Sequence, residues 1–135
     1  MTNDTAKEQA QVQLEAIQGL LAAYDQAKES GTVDHDGETL TVDQFEERVH
    51  ETPLCVEVRG GWHIPGAENK DSEYTILLCT GGPAVRIIGD LSDEPETARL
   101  EYQDWGTEWT DYHLTKEQEE QVIDYARFFN YEDTQ

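Results

Sequence analysis

The residues best placed to do chemistry are acids that alternate with large aromatic side chains after residue 102. Asp104, Glu108 and Asp111 lie close together in the sequence, as a general acid and a general base would. That chemistry requires a pocket that separates the pKa values of the two carboxyl groups. The sequence shows acids but no pocket, and chance neighbours are expected in a chain with 30 acids. We therefore expect a protein that is not an enzyme.

The histidines and cysteines give no pattern for a metal or a nucleophile. His35 lies in the triplet DHD, but a calcium-binding loop needs more acids and a closing Glu. Cys55 and Cys79 would face each other if the hairpin between them were centred near Ala67, which would permit a disulfide. In a reducing cytoplasm, two buried thiols are the preferred interpretation. We expect neither a metal nor a cofactor.

A second group of acids has a spacing suited to binding. Glu117, Glu120 and Asp124 fall three and four positions apart, which places them on one face of a helix, with neighbours about 5–6 Å apart. Successive phosphates of a nucleic-acid strand are separated by a similar distance, about 6–7 Å. A row of carboxylates at this pitch can occupy a groove built for a phosphate backbone, and counterion release favours the contact.

The predicted contact surface joins this row to the acids and rings that precede it. Exposed rings would add apolar contact to the electrostatic attraction, as at interaction hot spots. Acids of the turn SDEPET, residues 92–97, form the predicted rim. The complete predicted surface is Asp93, Glu94, Glu96, Asp104, Trp105, Glu108, Trp109, Asp111, Glu117, Glu120 and Asp124.

The net charge indicates a basic partner. The chain has 30 acids against 9 bases, a charge of −21, whereas a magnitude of roughly 2 to 8 keeps a small domain soluble. Residues 31–52 hold seven acids and one base, and residues 91–135 hold thirteen acids and three bases. A salt-rich habitat would spread acids over every face, which this uneven distribution disfavours. Such a chain would avoid nucleic acid and anionic lipid.

Three helices are predicted in a single domain, because 135 residues do not hold two full cores. Capping boxes indicate a short helix at 41–51 and a C-terminal helix at 115–129. A longer helix at 4–29 has an apolar stripe that either packs on a sheet or forms a homodimer seam. The stripe consists of Ala10, Leu14, Ile17, Leu21 and Tyr24.

The segment at about 54–112 is predicted to form a sheet. Alternating and continuous apolar runs indicate strands at 54–60, 74–80, 83–91 and 98–105. Residues 107–114 are expected to add a short strand, and residues 31–40 a loop or a short hairpin. The predicted fold class is α+β, an antiparallel meander of about four strands with the N-terminal and C-terminal helices packed on it.

Residues 54–131 resemble small uncharacterised proteins carried by bacterial phages and plasmids. The resemblance lies in the stretches EYTILLCTGGPAVRIIGDL, ARLEYQDWGTEWTDY and YARFFNY. It implies an origin in a mobile genetic element. Small acidic proteins of such elements often act as DNA mimics that fill the DNA channels of restriction enzymes or CRISPR effector complexes. No catalytic motif is carried over from this group.

Together these patterns predict an acidic inhibitor of a host defence system that targets DNA, of the anti-CRISPR or anti-restriction type. Its partner would be a basic DNA-binding host protein, bound through mimicry of DNA. The N-terminus lacks a signal-peptide pattern, and no apolar stretch is long enough for a membrane span, so we expect a cytoplasmic location in the bacterial host. The alternative is a non-catalytic interaction or regulatory module whose acidity serves solubility.

Overall fold

A computed structural model describes residues 4–62, 64–66, 71–104 and 107–131 of the chain. The fold is α+β, with three helices and two antiparallel sheets among these residues. In chain order the elements are α1 (Asp4–Ser30), β1 (Thr32–His35), β2 (Glu38–Thr41), α2 (Val42–His50), β3 (Cys55–Gly60), β4 (Asp71–Cys79), β5 (Ala84–Asp90), β6 (Arg99–Gln103), β7 (Thr110–Tyr112) and α3 (Lys116–Ala126).

The main sheet is a meander of five strands in the order β3-β4-β5-β6-β7, close to the predicted meander of about four. The fifth strand, β7, lies within residues 107–114, where a short strand was expected, and pairs with β6 so that Tyr112 lies opposite Leu100 and Thr110 opposite Tyr102. Strands β1 and β2 form a separate hairpin. Its turn is Asp36-Gly37, where both residues have positive φ, as a two-residue hairpin turn requires.

Both predicted capping boxes are present, and each fixes the start of a helix. The hydroxyls of Thr41 and Thr115 accept hydrogen bonds from the backbone of Gln44 and Gln118, whose side chains bond back to the cap residues. Each threonine is the cap itself, so α2 and α3 begin one residue later than predicted. Helix α3 ends at Ala126 rather than at residue 129, because the chain turns from its C-cap, Arg127.

The helices α1 and α3 pack on one face of the main sheet. The predicted stripe of α1 lies in this core: Ala10, Leu14 and Ile17 are buried, and Leu21 and Tyr24 are partly buried against it. The stripe therefore packs inside the chain instead of remaining free as a seam. None of the helices described combines the length and the apolar character needed to cross a bilayer.

The connection between β5 and β6 lies directly against the sheet at Gly89. A Cβ at this position would be 2.1 Å from the carbonyl oxygen of Thr97, so only glycine permits the approach. The hydroxyl of Tyr74 donates to the same carbonyl at 2.6 Å. These two contacts position residues 91–98, which carry the predicted rim.

The two cysteines do not face each other. The β3–β4 register places Cys55 opposite Leu77, because the hairpin is centred closer to the N-terminus than Ala67. Both thiols are free, and Cys55 is exposed rather than buried, whereas Cys79 is half-buried. Burial raises the pKa of the Cys79 thiol.

Candidate partner-binding surface

Helix α3 presents a row of three carboxylates to solvent. Glu117, Glu120 and Asp124 are all exposed. The residues of α3 that pack into the core are Val122, Tyr125 and Ala126. At 100° per residue, the three acids lie opposite these buried residues, so they share the outward face of one helix. No base occupies the last turn of α3, but the C-cap residue Arg127 follows Asp124 by three positions and lines the same groove.

The predicted rim is attached to the C-terminal end of the same helix. Asp93, Glu94 and Glu96 are exposed. The guanidinium of Arg127 lies 3.5 Å from the carboxylate of Glu94 and donates to the carbonyl oxygen of Pro95 at 3.2 Å. Pro95 is itself fully buried. The structure thus brings the β5–β6 connection to the end of α3, although Pro95 and Arg127 are 32 positions apart in the sequence.

The predicted residues between 104 and 111 lie elsewhere. Asp104 is buried, with 9 % of its surface exposed, so its carboxylate is not part of an external surface. Glu108 and Asp111 are exposed, but Asp111 belongs to β7 and lies opposite Glu101 on the outer face of the sheet. The β6–β7 pairing thus directs Asp111 to the outer face of the sheet, although Asp111 also lines a groove with Glu119 of α3.

Trp109, the one of the two predicted tryptophans that the structure describes, does not anchor the α3 surface. Trp109 is half-buried, and the guanidinium of Arg86 lies 4.1 Å from its ring centroid. This cation–π contact is also on the outer face of the sheet, since Arg86 lies opposite Glu101. Trp105 lies outside the described residues.

Helix α2 extends the acidic surface, and no residue of α2 was predicted there. Asp124 shares a groove with Glu46 and His50 of α2 and with Tyr24 of α1. Glu46 accepts a hydrogen bond of 2.8 Å from the Tyr24 hydroxyl, which raises the pKa of Tyr24. The other acids of this region are exposed, namely Asp43, Glu47 and Glu51. The high charge of residues 31–52 was the only sequence signal, and it indicated a segment without indicating a face.

The outer face of the main sheet has a different charge character. Its arginines are paired: Arg59 with Glu73 at 2.8 Å, and Arg86 with Glu101 at 2.7 Å. The hydrogen bond from Arg59 lowers the pKa of Glu73. Arg99 also lies 3.9 Å from Glu101. Carboxylates on this face therefore have cationic neighbours, which those of the α3 row lack within its last turn.

The charge count by layer supports this contrast. Residues 4–52 and 113–131, which form the three helices and the small hairpin, contain sixteen acids and five bases. The strands β3 to β7 contain six acids and three bases. The helices and the small hairpin thus carry a net charge of −11 over 68 residues and the five strands −3 over 30 residues, so the helical elements are the more acidic of the two groups.

A depression with a volume of about 460 Å3 lies between α1, the small hairpin and α3. Two of its polar side chains bond each other, because the hydroxyl oxygen of Thr52 lies 2.6 Å from the hydroxyl of Tyr125. Thr52 also donates to the carbonyl oxygen of Val49 at 2.7 Å. His35 packs edge-on against Phe45.

No protein-family model, curated protein or solved structure matches the chain. Among the described residues, no group of three or more His, Cys, Asp or Glu side chains is arranged to hold a metal ion. Function must therefore be argued from the surface itself, and the exposed carboxylates of α3 with their neighbours are its most distinctive feature.

Proposed function

We propose that the chain is a non-enzymatic inhibitor that imitates DNA and occupies the basic groove of a DNA-binding host protein. The observation that carries the proposal is the exposed row Glu117, Glu120 and Asp124 on the outward face of α3. A groove lined with Lys and Arg holds phosphates by charge, and carboxylates about 5–6 Å apart satisfy the same donors.

The neighbouring elements widen the row into a surface. The β5–β6 connection adds acids beyond the C-terminal end of α3 through the contact of Arg127 with Glu94. Helix α2 adds Glu46 beside Asp124. A duplex presents phosphates in two dimensions, so a surface several residues wide imitates it better than a single row.

The partner class follows from charge and from the resemblance to proteins of phages and plasmids. A chain of charge −21 is drawn to basic protein surfaces and repelled by nucleic acid and anionic membranes. Within a bacterial cell infected by a phage or carrying a plasmid, the basic grooves that matter to the element belong to CRISPR effectors and restriction enzymes. We place the inhibitor in the cytoplasm of that host.

Competition with DNA tests the proposal. The protein is titrated into a complex of a candidate effector or restriction enzyme with labelled duplex, and displacement is followed by fluorescence anisotropy. Reversal of the row, Glu117→Lys with Glu120→Lys and Asp124→Lys, should weaken displacement severely. It should also reduce the slope of log affinity against log salt by roughly 3, one for each contact removed.

A matched control changes the net charge by the same amount elsewhere. Glu8→Lys, Glu15→Lys and Glu29→Lys alter three exposed acids of α1 and should leave displacement largely intact. Equal losses in both variants would mean that overall charge, not the α3 surface, drives binding. Full activity of the α3 variant would remove this surface from the mechanism.

Exposed apolar residues that flank β3 support a second candidate function, an interaction module whose acidity serves solubility. Leu54, Trp62 and Ile64 are 60 %, 106 % and 77 % exposed, and apolar groups of this size at a surface favour contact with another protein. Binding through them would be insensitive to salt, whereas binding through the α3 row would weaken steeply as salt rises.

A further inference from the structure

Strand β3 is an open edge of the main sheet. It pairs with β4 on one side, and no strand of the described residues pairs with its other side. The strand is bordered by two exposed apolar residues, Leu54 at 60 % and Trp62 at 106 % of their full surface. Open edges present unpaired backbone groups and readily accept another strand.

The backbone groups that face this open edge can be assigned from the neighbouring strands. The amide of Leu91 donates to the carbonyl oxygen of Ser72 at 2.8 Å, so the even-numbered residues of β4 bond towards β5. Odd-numbered residues of β4 therefore bond towards β3, because an antiparallel strand alternates its bonding side. By the same alternation, Val56 and Val58 of β3 direct their amide and carbonyl groups to the open edge.

We propose that the open edge of β3 pairs with β3 of a second copy of this chain, antiparallel and centred on Val58. In this register each Val58 exchanges backbone hydrogen bonds with the partner's Val58. Glu57 then lies opposite the partner's Arg59, and Arg59 opposite the partner's Glu57. These are non-hydrogen-bonded positions, where side chains on paired strands come closest. Charged edge residues normally oppose pairing, but here they complement each other.

The apolar residues at the ends of β3 match in the same register. The regular alternation covers residues 55–59, because the amide of Leu54 bonds Leu77 and the β3–β4 register shifts between Arg59 and Gly60. Leu54 lies as far before Val58 as Trp62 lies after it, so the pairing brings each Leu54 to the same end of the strand as the partner's Trp62. Two of the most exposed apolar side chains of the chain are thus covered at once, and the pair occurs twice about the twofold axis.

Neighbouring registers are disfavoured by charge. In an antiparallel pair, the numbers of two opposed residues have a constant sum. This sum can change here only by an even amount, because an odd change would set outward side chains against core-facing ones. The smallest such change in either direction places Glu57 opposite the partner's Glu57, or Arg59 opposite the partner's Arg59. Arg59 also bonds Glu73 through its Nε, and a guanidinium retains further N–H groups for a second carboxylate.

The dimer would form a continuous sheet of ten strands, twice the five of one copy. The twofold axis stands perpendicular to the sheet, so the helical layers of both copies lie on the same face. This pairing does not depend on the proposed function, although it would double the carboxylate surface offered to a partner. The oligomeric state is measured on the protein alone, so failure of one proposal leaves the other standing.

A charge-swap series tests the pairing by sedimentation velocity in about 0.15 M salt, where the Debye length of about 8 Å limits general repulsion. The native chain should sediment as a dimer. Glu57→Arg and Arg59→Glu, made separately, should each raise the dissociation constant roughly tenfold or more, since both cross-strand pairs become like-charged. The double variant, Glu57→Arg with Arg59→Glu, should restore the dimer.

Mixing the two single variants is the decisive measurement. One variant carries two arginines at positions 57 and 59 and the other two glutamates, so a one-to-one mixture should form heterodimers. Circular dichroism confirms that each variant is folded before mixing. Because the heterodimer restores attraction, the result does not depend on how either variant alone affects stability or the internal contact with Glu73.

Three outcomes would overturn the pairing. The first is a native chain that remains monomeric at about 100 µM, a concentration at which edge pairing worth a micromolar Kd would be nearly complete. The second is a folded pair of single variants that does not associate on mixing. The third is a Trp62→Ala variant whose dimer has the same dissociation constant as the native dimer. Trp62 lies outside the strands, and its loss should weaken association by about tenfold.

Discussion

The α3 carboxylates should lower the stability of the protein while they create its binding surface. The informative perturbation is Glu120→Gln with Asp124→Asn, which keeps side-chain size and removes two negative charges. Glu120 is repelled by Glu117 three residues before it and by Asp124 four residues after it. Each like-charged pair at this spacing costs about 0.2–0.5 kcal/mol.

The helix dipole adds to this repulsion. Asp124 lies in the last turn of α3, where a negative charge meets the negative end of the dipole, at a cost of about 0.3–1 kcal/mol. Glu117 is kept because it lies in the first turn, where it is favourable. Lys116, four residues before Glu120, and Arg127, three residues after Asp124, offset part of this cost by about 0.2–0.5 kcal/mol each. The double variant should therefore be more stable by about 0.6 kcal/mol, which corresponds to a rise in Tm of about 2 °C for a chain of this length.

Thermal unfolding followed by circular dichroism at low salt measures the change. The control, Glu8→Gln with Glu15→Gln, removes the same charge from exposed positions of α1 that are not helix neighbours, and its Tm should rise less. The difference between the two variants should shrink at 1 M salt, where the Debye length is about 3 Å. An unchanged or lower Tm in the α3 variant, or an equal rise in the control, would refute local crowding on α3.

Three further predictions follow from the core and the strands. Burial raises the pKa of Tyr74 and Tyr125, so the folded chain holds these phenol protons more tightly than the unfolded chain. Their contribution to stability is complete below pH about 10 and is lost as the pH rises further. The absorbance of ionised tyrosine at 295 nm should therefore appear together with unfolding. Ionisation of all tyrosines at a lower pH than unfolding would contradict this prediction. Gly89→Ala should destabilise the chain by about 1–3 kcal/mol, because the new methyl group meets a backbone carbonyl. In urea unfolding, the control Gly19→Ala should show no such loss, because an added Cβ there meets nothing within 4 Å. A thiol reagent at neutral pH should modify the exposed Cys55 well before Cys79, whose pKa is raised by burial; equal rates would show that Cys79 is accessible.

Local features of the fold were predictable because the contacts that define them span only a few residues. The capping boxes at Thr41 and Thr115 join residues three apart, so the sequence predicts both helix starts to within one residue. The spacing of Ala10, Leu14 and Ile17 likewise predicts the buried side of α1, because helical periodicity is a property of the local backbone.

The bounds of the last strand and the register of the sheet were less predictable. A short strand was expected within residues 107–114, but β7 has only three residues, too few for alternation to locate it, and its pairing with β6 sets its extent. The predicted centre of the β3–β4 hairpin, near Ala67, would have placed Cys55 opposite Cys79. In the structure the hairpin is centred closer to the N-terminus, and Cys55 lies opposite Leu77. Register depends on turn geometry and on the packing of one sheet face, and neither is readable from a single strand.

The sequence by itself determined how many carboxylates the protein carries and which of them share a helix face, because composition and helical spacing need no distant partner. Tertiary structure decided which of these acids meet. It buried Asp104, directed Asp111 to the outer face of the sheet, and attached the β5–β6 connection to α3 through Arg127. The reason is that a surface is assembled from segments distant in the chain, and their positions are fixed by strand pairing and core packing rather than by local spacing.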